Sequence, residues 1–300
     1  GLCLELFEEG SHILCTEDLY GGTVRMFESI GEKRGVTFSY VDTSDIELVR
    51  KSIRKETKAL YIETPSNPTM KVTDFAAMRE IADEYGLLII ADNTFLTPYF
   101  QKPLTLGADL VVHSGTKFLG GHNDVLAGFV CIKGKGLSEK LRYTYKTVGC
   151  CLPPFDSFLV LRGIKTLSVR LERQQENAKK IALWLKDRPE VKAVYYTGLP
   201  EHPGYEINQK QASGCGSMIS FKVDSEKRAR KLLESVKLIS YAESLGGVES
   251  LITYPMLQTH GDVPVETRER LGITEDFLRM SVGIENAEDL IADLEQALAE

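Results

Sequence analysis

Short apolar runs alternate with amphipathic stretches through the first half of the chain. Six of these runs are rich in aliphatic and β-branched residues, as buried strands are; they lie at residues 12–15, 36–41, 59–63, 87–91, 110–113 and 129–132. Apolar residues at helical spacing predict helices between them, at residues 24–31, 45–53 and 74–85. Thr73 is the predicted N-cap of the last helix. Because strands that alternate with helices form a mostly parallel sheet between helices, the pattern predicts an α/β fold.

The pattern changes after residue 153. Apolar positions repeat at helical spacing from 155 to 186, and Pro189 follows, which predicts one long helix. Further elements are predicted as strands at 191–196, 217–223 and 278–284, helices at 226–236 and 286–299, and a polar, glycine-rich loop at 198–216. The predicted organisation is a large domain (residues 1–154), a long connecting helix (155–187) and a smaller C-terminal α/β domain (188–300).

Composition places the chain among globular proteins and narrows its partners. It has 300 residues, of which 43% are hydrophobic, and its formal net charge is −7 with both signs interspersed. No basic face for nucleic acid and no polybasic membrane patch is predicted. No apolar run reaches the roughly 18 residues of a membrane span, and the cysteines and histidines lack the spacing of disulfide frameworks or zinc sites. We expect a cytoplasmic protein with reduced thiols and with no metal, nucleic-acid or membrane partner.

A lysine stands at the end of one predicted strand. The apolar run that ends at Val112 passes into small residues, which present Lys117 beside Ser114, Thr116 and two glycines. Burial and nearby charge can lower the pKa of such an amine, and the neutral amine can then attack a carbonyl carbon to form a Schiff base. Taken alone, a lysine in so short a motif is more often an ordinary loop lysine.

Other segments supply the remaining groups that pyridoxal 5'-phosphate requires. Besides a lysine, this cofactor needs an anion beside its ring nitrogen, an aromatic face, phosphate donors and, for its amino-acid substrate, a cation. The candidates are Asp92, Tyr20, the hydroxyl groups of Ser114 and Thr116, and Arg279. Each main candidate has a structural alternative, since Asp92 can cap a turn, Tyr20 can pack on its own loop, and Arg279 can pair with a structural glutamate.

The motifs that contain these residues resemble one enzyme family. They occur in order along the chain as Asp18-Leu-Tyr-Gly-Gly-Thr, Glu63-Thr-Pro-Ser-Asn-Pro, Ala91-Asp-Asn-Thr, His113-Ser-Gly-Thr-Lys-Phe-Leu-Gly-Gly-His, Leu161-Arg-Gly-Ile-Lys-Thr-Leu, Glu243-Ser-Leu-Gly-Gly-Val-Glu-Ser-Leu and Arg279-Met-Ser-Val-Gly-Ile-Glu. Together they resemble the cystathionine γ-synthase and cystathionine lyase family, which belongs to the fold-type I pyridoxal-phosphate-dependent class. The resemblance implies that fold, pyridoxal 5'-phosphate as cofactor and a small sulfur amino acid as substrate.

The resemblance also implies roles around the cofactor. Lys117 is the Schiff-base lysine and returns as a mobile acid and base. Asp92 is the partner of the pyridinium nitrogen, and Tyr20 is the stacking ring and a candidate for proton transfer. Ser114 and Thr116 are phosphate contacts.

On the substrate side, the resemblance places Asn67 by the phenolic oxygen of the cofactor, and it assigns the substrate carboxylate to Arg279 with Ser244. Glu243 resembles the acidic residue of the family's γ-lyases and γ-synthases, whereas several β-lyases carry an apolar or aromatic residue there. We therefore expect γ-elimination or γ-replacement on cystathionine or an O-acyl-homoserine. The activities of cystathionine β-lyase, methionine γ-lyase and homoserine-ester sulfhydrylase remain alternatives within the family.

Three other classes of protein fit parts of the pattern. An aminotransferase of the same fold would share Lys117, Asp92 and an arginine, and a degenerate member would be a non-catalytic oligomeric protein. A Rossmann-type nucleotide binder is disfavoured, because no Gly-x-Gly-x-x-Gly follows a predicted strand. By analogy with the family, we expect a homo-oligomer that is a dimer of dimers.

The first residues depart from the family pattern. Family members carry an N-terminal arm with a Tyr-x-Arg and a Ser-Gly-Met type turn that hold the cofactor phosphate, and neither is found in these 300 residues. The chain opens with Leu2, Leu4 and Leu6, as the end of a helix would. We therefore expect half of the phosphate site to be missing and the cofactor to be held weakly by this chain.

Overall fold

A six-stranded sheet forms the first half of the molecule in the computed structural model, which describes residues 1–258, 261, 263 and 265–299. Its strands are β1 His12–Thr16, β2 Thr37–Val41, β3 Thr57–Glu63, β4 Leu88–Asp92, β5 Leu110–Ser114 and β6 Gly128–Ile132. They lie in the order β2-β1-β3-β4-β5-β6, and all pairs are parallel except β5 with β6. The predicted α/β fold with a mostly parallel sheet is confirmed.

A second, five-stranded sheet follows later in the chain. Its strands are β7 Val191–Tyr195, β8 Met218–Val223, β9 Ser240–Tyr241, β10 Leu251–Thr253 and β11 Phe277–Ser281. The order is β7-β8-β11-β10-β9, with antiparallel pairing except between β9 and β10. Both β9 and β10 were missed, because two or three residues are too few to show a strand's alternation.

Helices cover both sheets. They are α1 Gly21–Met26, α2 Ile46–Ser52, α3 Phe75–Tyr85, α4 Thr97–Phe100, α5 Pro103–Leu106, α6 Lys135–Val148, α7 Pro154–Ile164, α8 Leu167–Lys186, α9 Tyr205–Gln211, α10 Glu226–Ser235, α11 Val265–Leu271 and α12 Ala287–Ala299. Shorter 3-10 or π turns occur at Leu2–Leu6, Phe27–Gly31, Glu32–Arg34 and Gly115–Leu119. None of the helices in the described part of the chain is long and apolar enough to cross a membrane.

Two local predictions were wrong for identifiable reasons. The cap of α3 is Asp74, whose carboxylate accepts from the amides of Ala76 and Ala77, at 2.8 and 3.3 Å. The Thr73 hydroxyl is instead bound to that of Thr43. The stretch 198–216, predicted as a loop, contains α9, whose polar composition concealed it.

The single helix predicted for residues 155–187 is two helices, α7 and α8. They are separated at Lys165 and Thr166, and Thr166 has a non-helical φ of −110° and ψ of 9°. Just before the break, Gly163 lies so close to the chain that a Cβ atom there would overlap with the carbonyl oxygen of Gly120. The chain thus bends where α7 packs against the segment after Lys117. The division into three domains stays a prediction.

One apolar cluster joins the two sheets beneath the Lys117 turn. It includes Phe118, which is fully buried, Leu171 of α8 and Met218 of β8. Burying a phenylalanine side chain stabilises a fold by about 1.5–3 kcal/mol. The turn that carries Lys117 is therefore anchored by its next residue.

Candidate active site

The carboxyl ends of β3, β4 and β5 meet at one edge of the first sheet. Glu63 is the register partner of Asp92, and Asp92 is the partner of Val112. The polar segments that follow these strands therefore leave from the same edge, which is where parallel sheets bind ligands. Arg279 of β11 reaches this edge from the second sheet, since its Nη1 donates to Asn67 Oδ1 at 2.8 Å.

Lys117 lies within the turn Gly115–Leu119 and has a non-helical backbone, with φ −92° and ψ −127°. Its Nζ donates to Ser244 Oγ at 2.9 Å. Burial and, to a smaller extent, the positive charge of Arg279 lower the pKa of Lys117 to about 8, while Glu243 acts in the opposite direction. A larger share of this amine is therefore neutral near pH 7 than for an ordinary lysine, as a nucleophile or proton acceptor requires.

Arg279 is a buried cation that forms no ion pair with a carboxylate of the described residues. Its side chain is 2% exposed, and its Nη2 donates to Ser244 O at 3.1 Å and Thr253 Oγ1 at 3.2 Å. Its Nε atom is buried and has no hydrogen-bond partner among the described residues, none of which forms an ion pair with it. Burial lowers the pKa of Arg279 to about 10. The structural glutamate that was the alternative is therefore not found, and a carboxylate from outside the chain would satisfy the guanidinium.

Ser244 connects the lysine to the arginine. Its hydroxyl accepts from Lys117 and its carbonyl accepts from Arg279. Its φ is 99°, a left-handed value that is costly for serine and occurs where the surroundings impose it. Asn67, 2% exposed, completes a hydrogen-bonded chain from Lys117 through Ser244 and Arg279.

Asp92 is the last residue of β4, and among the described residues only one of its two carboxylate oxygens accepts hydrogen bonds. Its Oδ1 accepts from the Thr94 amide at 3.0 Å and from the Thr94 hydroxyl at 2.6 Å. Burial raises the pKa of Asp92. Its Oδ2 accepts no hydrogen bond from the residues that the structure describes. The turn-capping alternative is thus realised by one oxygen, which leaves the other for a cationic ring nitrogen.

Glu63 is a residue of this site that sequence reasoning missed. It is 5% exposed, and its Oε2 accepts from the backbone amide of Tyr20 at 2.9 Å. Burial first, and the neighbouring Asp92 second, raise the pKa of Glu63. The available signal was a carboxylate at the end of a buried strand, beside the strand that ends in Asp92.

Tyr20 is positioned through its main chain and not through its ring. The side chain is 51% exposed, and a Cβ atom on Gly22 would overlap with the phenol ring. The ring therefore lies against its own loop with about half of its surface exposed. The phenol nevertheless lies near enough to Arg279 to affect the pKa of that guanidinium.

The hydroxyl groups beside Lys117 differ in their partners. Thr116 Oγ1 donates to Ala127 O at 3.4 Å and accepts from the Ala127 amide at 3.1 Å. The Ser114 amide donates to Thr94 Oγ1 at 2.9 Å, while the Ser114 hydroxyl has no partner in the described chain. Glu243 is exposed and lines a cavity of about 680 Å³ with Thr116, Ser244 and two further carboxylates, Asp124 and Asp156.

Fold and site together define a fold-type I enzyme of the pyridoxal-phosphate-dependent class. The chain matches the family described as Cys/Met metabolism PLP-dependent enzyme over residues 2–299, and it belongs to that family. It is an enzyme of sulfur amino-acid metabolism, as the resemblance predicted.

Named relatives include lyases of both regiochemistries. The chain is 51% identical over 293 residues to the cystathionine gamma-lyase of Bacillus subtilis (strain 168), covering 98% of this chain and 77% of that protein. It is 47% identical over 298 residues to the cystathionine beta-lyase of Coxiella burnetii, with the same two coverages. The solved structure of cystathionine gamma-lyase from Lactobacillus plantarum complexed with L-serine superimposes with a TM-score of 0.97 at 44% identity, over 99% of this chain and 78% of that one.

The residues present fit the cofactor that the family uses. Pyridoxal 5'-phosphate is an anion with a cationic ring nitrogen and an aldehyde, and its substrates carry a carboxylate. Among the described residues, Asp92 offers an oxygen that accepts no hydrogen bond, Lys117 offers an amine of lowered pKa, and the buried Nε of Arg279 lacks a partner. The ring nitrogen, the aldehyde and the substrate carboxylate thus each meet a complementary group.

Proposed function

We propose that this enzyme catalyses γ-elimination or γ-replacement on cystathionine or an O-acyl-homoserine. One observation carries the proposal: a lysine of lowered pKa is joined through Ser244 to a buried arginine that pairs with no carboxylate in the part of the chain that the structure describes. This arrangement suits an α-amino acid, whose carboxylate would bind Arg279 while its α-carbon lies near the Lys117 amine.

The proposed cofactor contacts follow from the open atoms of the site. Lys117 holds the cofactor covalently, and Asp92 Oδ2 pairs with the ring nitrogen. Ser114 and Thr116 contact the phosphate, and Tyr20 stacks on the ring and assists proton transfer. When bound, pyridoxal phosphate supplies an electron sink for the charge that is left when the α-proton leaves.

The chain's own residues position the substrate and move the proton. Arg279 binds the substrate carboxylate through the edge that includes Nε, and Asn67 and the Ser244 carbonyl keep the guanidinium in place. Once the amino group of the substrate has replaced it on the cofactor, the neutral amine of Lys117 would accept the α-proton and return it at a neighbouring carbon. Ser244 Oγ keeps this amine within reach between the two transfers.

Glu243 supports γ-chemistry over β-chemistry. It resembles the acidic residue that the γ-lyases and γ-synthases of the family carry at this position. With Asp124 and Asp156 it also gives the cavity beside Lys117 an acidic wall, which would complement the second amino group of cystathionine in either reaction. The γ-lyase of Bacillus subtilis is also more similar to this chain than the named β-lyase relatives are. Cystathionine β-lyase chemistry is the second candidate, because relatives of that name reach 46–47% identity.

Product analysis with cystathionine tests this proposal. The γ-route yields cysteine, 2-oxobutyrate and ammonia, whereas the β-route yields homocysteine, pyruvate and ammonia. Exclusive formation of pyruvate and homocysteine would overturn the γ-assignment. Borohydride reduction with pyridoxal phosphate, followed by peptide mapping, tests the site independently, since the pyridoxyl group is expected on Lys117 and its absence there contradicts the assignment.

We also propose a homo-oligomer, a dimer of dimers, in the cytoplasm. Three large apolar residues on one face of α7 are exposed: Phe155 by 69%, Phe158 by 57% and Leu161 by 63%. A contiguous exposed apolar face of this kind marks an interaction surface. All six cysteines are free thiols, which suits a reducing compartment.

A further inference from the structure

A second buried guanidinium lies behind the Lys117 turn. Arg170 of α8 is 4% exposed. Its Nη1 donates to Phe118 O at 2.9 Å, its Nη2 donates to Gly163 O at 2.8 Å, and its Nε donates to Thr166 Oγ1 at 3.2 Å. All three acceptors are neutral, and no carboxylate in the described chain forms an ion pair with it. Burial lowers the pKa of Arg170. A cation is costly to bury in this way, so its fixed contacts require an explanation.

One of these contacts falls on the turn that carries Lys117. Because Lys117 departs from helical geometry, the turn cannot bond all of its carbonyl groups internally. Gly115 O accepts from the Gly120 amide and Lys117 O accepts from the Gly121 amide. Phe118 O, one residue after the lysine, accepts instead from Arg170. The guanidinium therefore holds the chain at the residue next to the reactive amine.

The other two contacts tie Arg170 to the break between α7 and α8. Gly163 O is the carbonyl near the end of α7, where it also accepts from the Thr166 amide at 3.1 Å. A cation suits this negative end of a helix. The fit is close on both sides, because a Cβ atom on Gly163 would overlap with Gly120 O and one on Gly121 would overlap with the guanidinium.

We propose that Arg170 is a positioning residue, which fixes the Lys117 turn to the junction of α7 and α8. The Lys117 amine is thereby kept in its position beside Ser244 and Arg279. The inference rests on the proposed role of Lys117. It also gives a role to the motif from Leu161 to Leu167, which has no other part in the candidate active site. A guanidinium is suited to this task because its rigid fork serves three acceptors at once, whereas an ammonium group on a flexible stem does not.

The test compares R170Q and R170K with R173Q, which changes an exposed arginine on the same helix. Each purified enzyme is freed of cofactor and mixed with pyridoxal phosphate, and samples are reduced with borohydride over time and across pH. Peptide mapping then gives the rate at which Lys117 acquires the pyridoxyl group. We expect R170Q to slow this rate about tenfold or more, R170K to recover part of it, and R173Q to match the wild type.

A merely structural role would act through unfolding and leave the labelling rate of the folded fraction unchanged. The rate is therefore expressed per folded molecule, measured by near-ultraviolet circular dichroism. Labelling of Lys117 in R170Q at the wild-type rate would overturn the inference while leaving the proposed function intact. A pyridoxyl group on another lysine in the wild type would instead overturn the proposed function.

G163A provides a second route to the same question if R170Q does not fold. The added methyl group would push against Gly120 O and shift the turn from the other side. The inference requires slower labelling of Lys117 in folded G163A and intermediate labelling in R170K. Wild-type rates in both variants would contradict it.

Discussion

Two carboxyl groups lie side by side at the edge of the first sheet, and they have different partners. Asp92 is held by Thr94 and keeps one oxygen open, whereas Glu63 accepts from the amide of Tyr20. Burial raises the pKa of both groups, and Asp92 raises that of Glu63 further. Because two adjacent carboxyl groups resist ionising together, the negative charge of Asp92 disfavours the ionised form of Glu63.

We predict that Glu63→Gln makes the stability of the fold less dependent on pH. Because the pKa of Glu63 is raised on folding, its contribution is fully present below the pKa of the unfolded chain, about 4.3. It is lost as pH rises through the folded value. From pH 5 to pH 8 the wild type should therefore lose unfolding free energy relative to E63Q, as measured by urea denaturation. Glu47→Gln, on the exposed face of α2, is the control. An equal wild-type-to-E63Q difference at both pH values would argue against a protonated Glu63.

Replacing Arg279 should lower the activity far more than replacing a basic residue away from the site. We predict that R279K lowers kcat/KM for cystathionine, because lysine cannot offer the paired donors that a carboxylate and Asn67 require. Loss of one partner of a buried charge pair costs about 2–5 kcal/mol, which corresponds to roughly 30-fold to several thousand-fold. Steady-state kinetics should show the loss mainly in KM. K222M, a change on neighbouring β8 away from the site, is the control, and an unchanged KM in R279K would contradict the assignment.

At the scale of elements, the break between α7 and α8 is a feature that the spacing of apolar residues does not predict. Apolar residues continue at helical spacing across Ile164 and Leu167, so the pattern alone predicts one helix. The break is dictated by a contact with a distant segment, since Gly163 lies against Gly120 and Arg170 reaches Phe118. Regular strands such as β3 and β4 were found because burial on both faces leaves a continuous apolar run. Helix α6 was missed because only Leu141 is buried in it.

Two glycines in helices give a matched test of that contact. We predict that Gly163→Ala destabilises the fold by about 1–3 kcal/mol, because the new methyl group overlaps with Gly120 O. The methyl group of Gly136→Ala, in α6, would meet no atom of the described residues within 4 Å. It should instead stabilise the fold by up to about 1 kcal/mol through helix propensity. Chemical denaturation of both variants checks the pair, and the same sign for both would refute the packing argument.

At the scale of the whole molecule, the sequence predicts which residue types form the site better than which of them touch. Lys117, Asp92 and Arg279 were identifiable because each stands at the end of, or within, an apolar strand. The contact between Asn67 and Arg279 spans 212 positions and arises only when the second sheet packs against the first. The spacing of apolar residues indicates local structure and cannot predict a contact between residues so far apart in the sequence. Glu63 was missed for the same reason, since its partner Tyr20 precedes it by 43 positions.

The exposed face of α7 leads to the prediction for the assembly. One side of this helix packs on the Lys117 turn through Gly163, and the other presents Phe155, Phe158 and Leu161 to solvent. A second copy that covered this face would lie beside the active site and remove apolar surface from water. The wild type should therefore have a mass in light scattering of at least twice the 33.5 kDa of one chain.

Charge on this face should break the assembly. We predict that the double variant F158E/L161E shifts the mass toward that of one chain, because each carboxylate would have to be desolvated on association. Leu183→Glu, which places one carboxylate at a 46%-exposed leucine of α8, is the control and should keep the wild-type mass. Cofactor binding by the dissociated variant would be measured by equilibrium dialysis alongside the mass. A wild type that remains a single chain at micromolar concentration, or a double variant with unchanged mass, would show that this face is not the contact between copies.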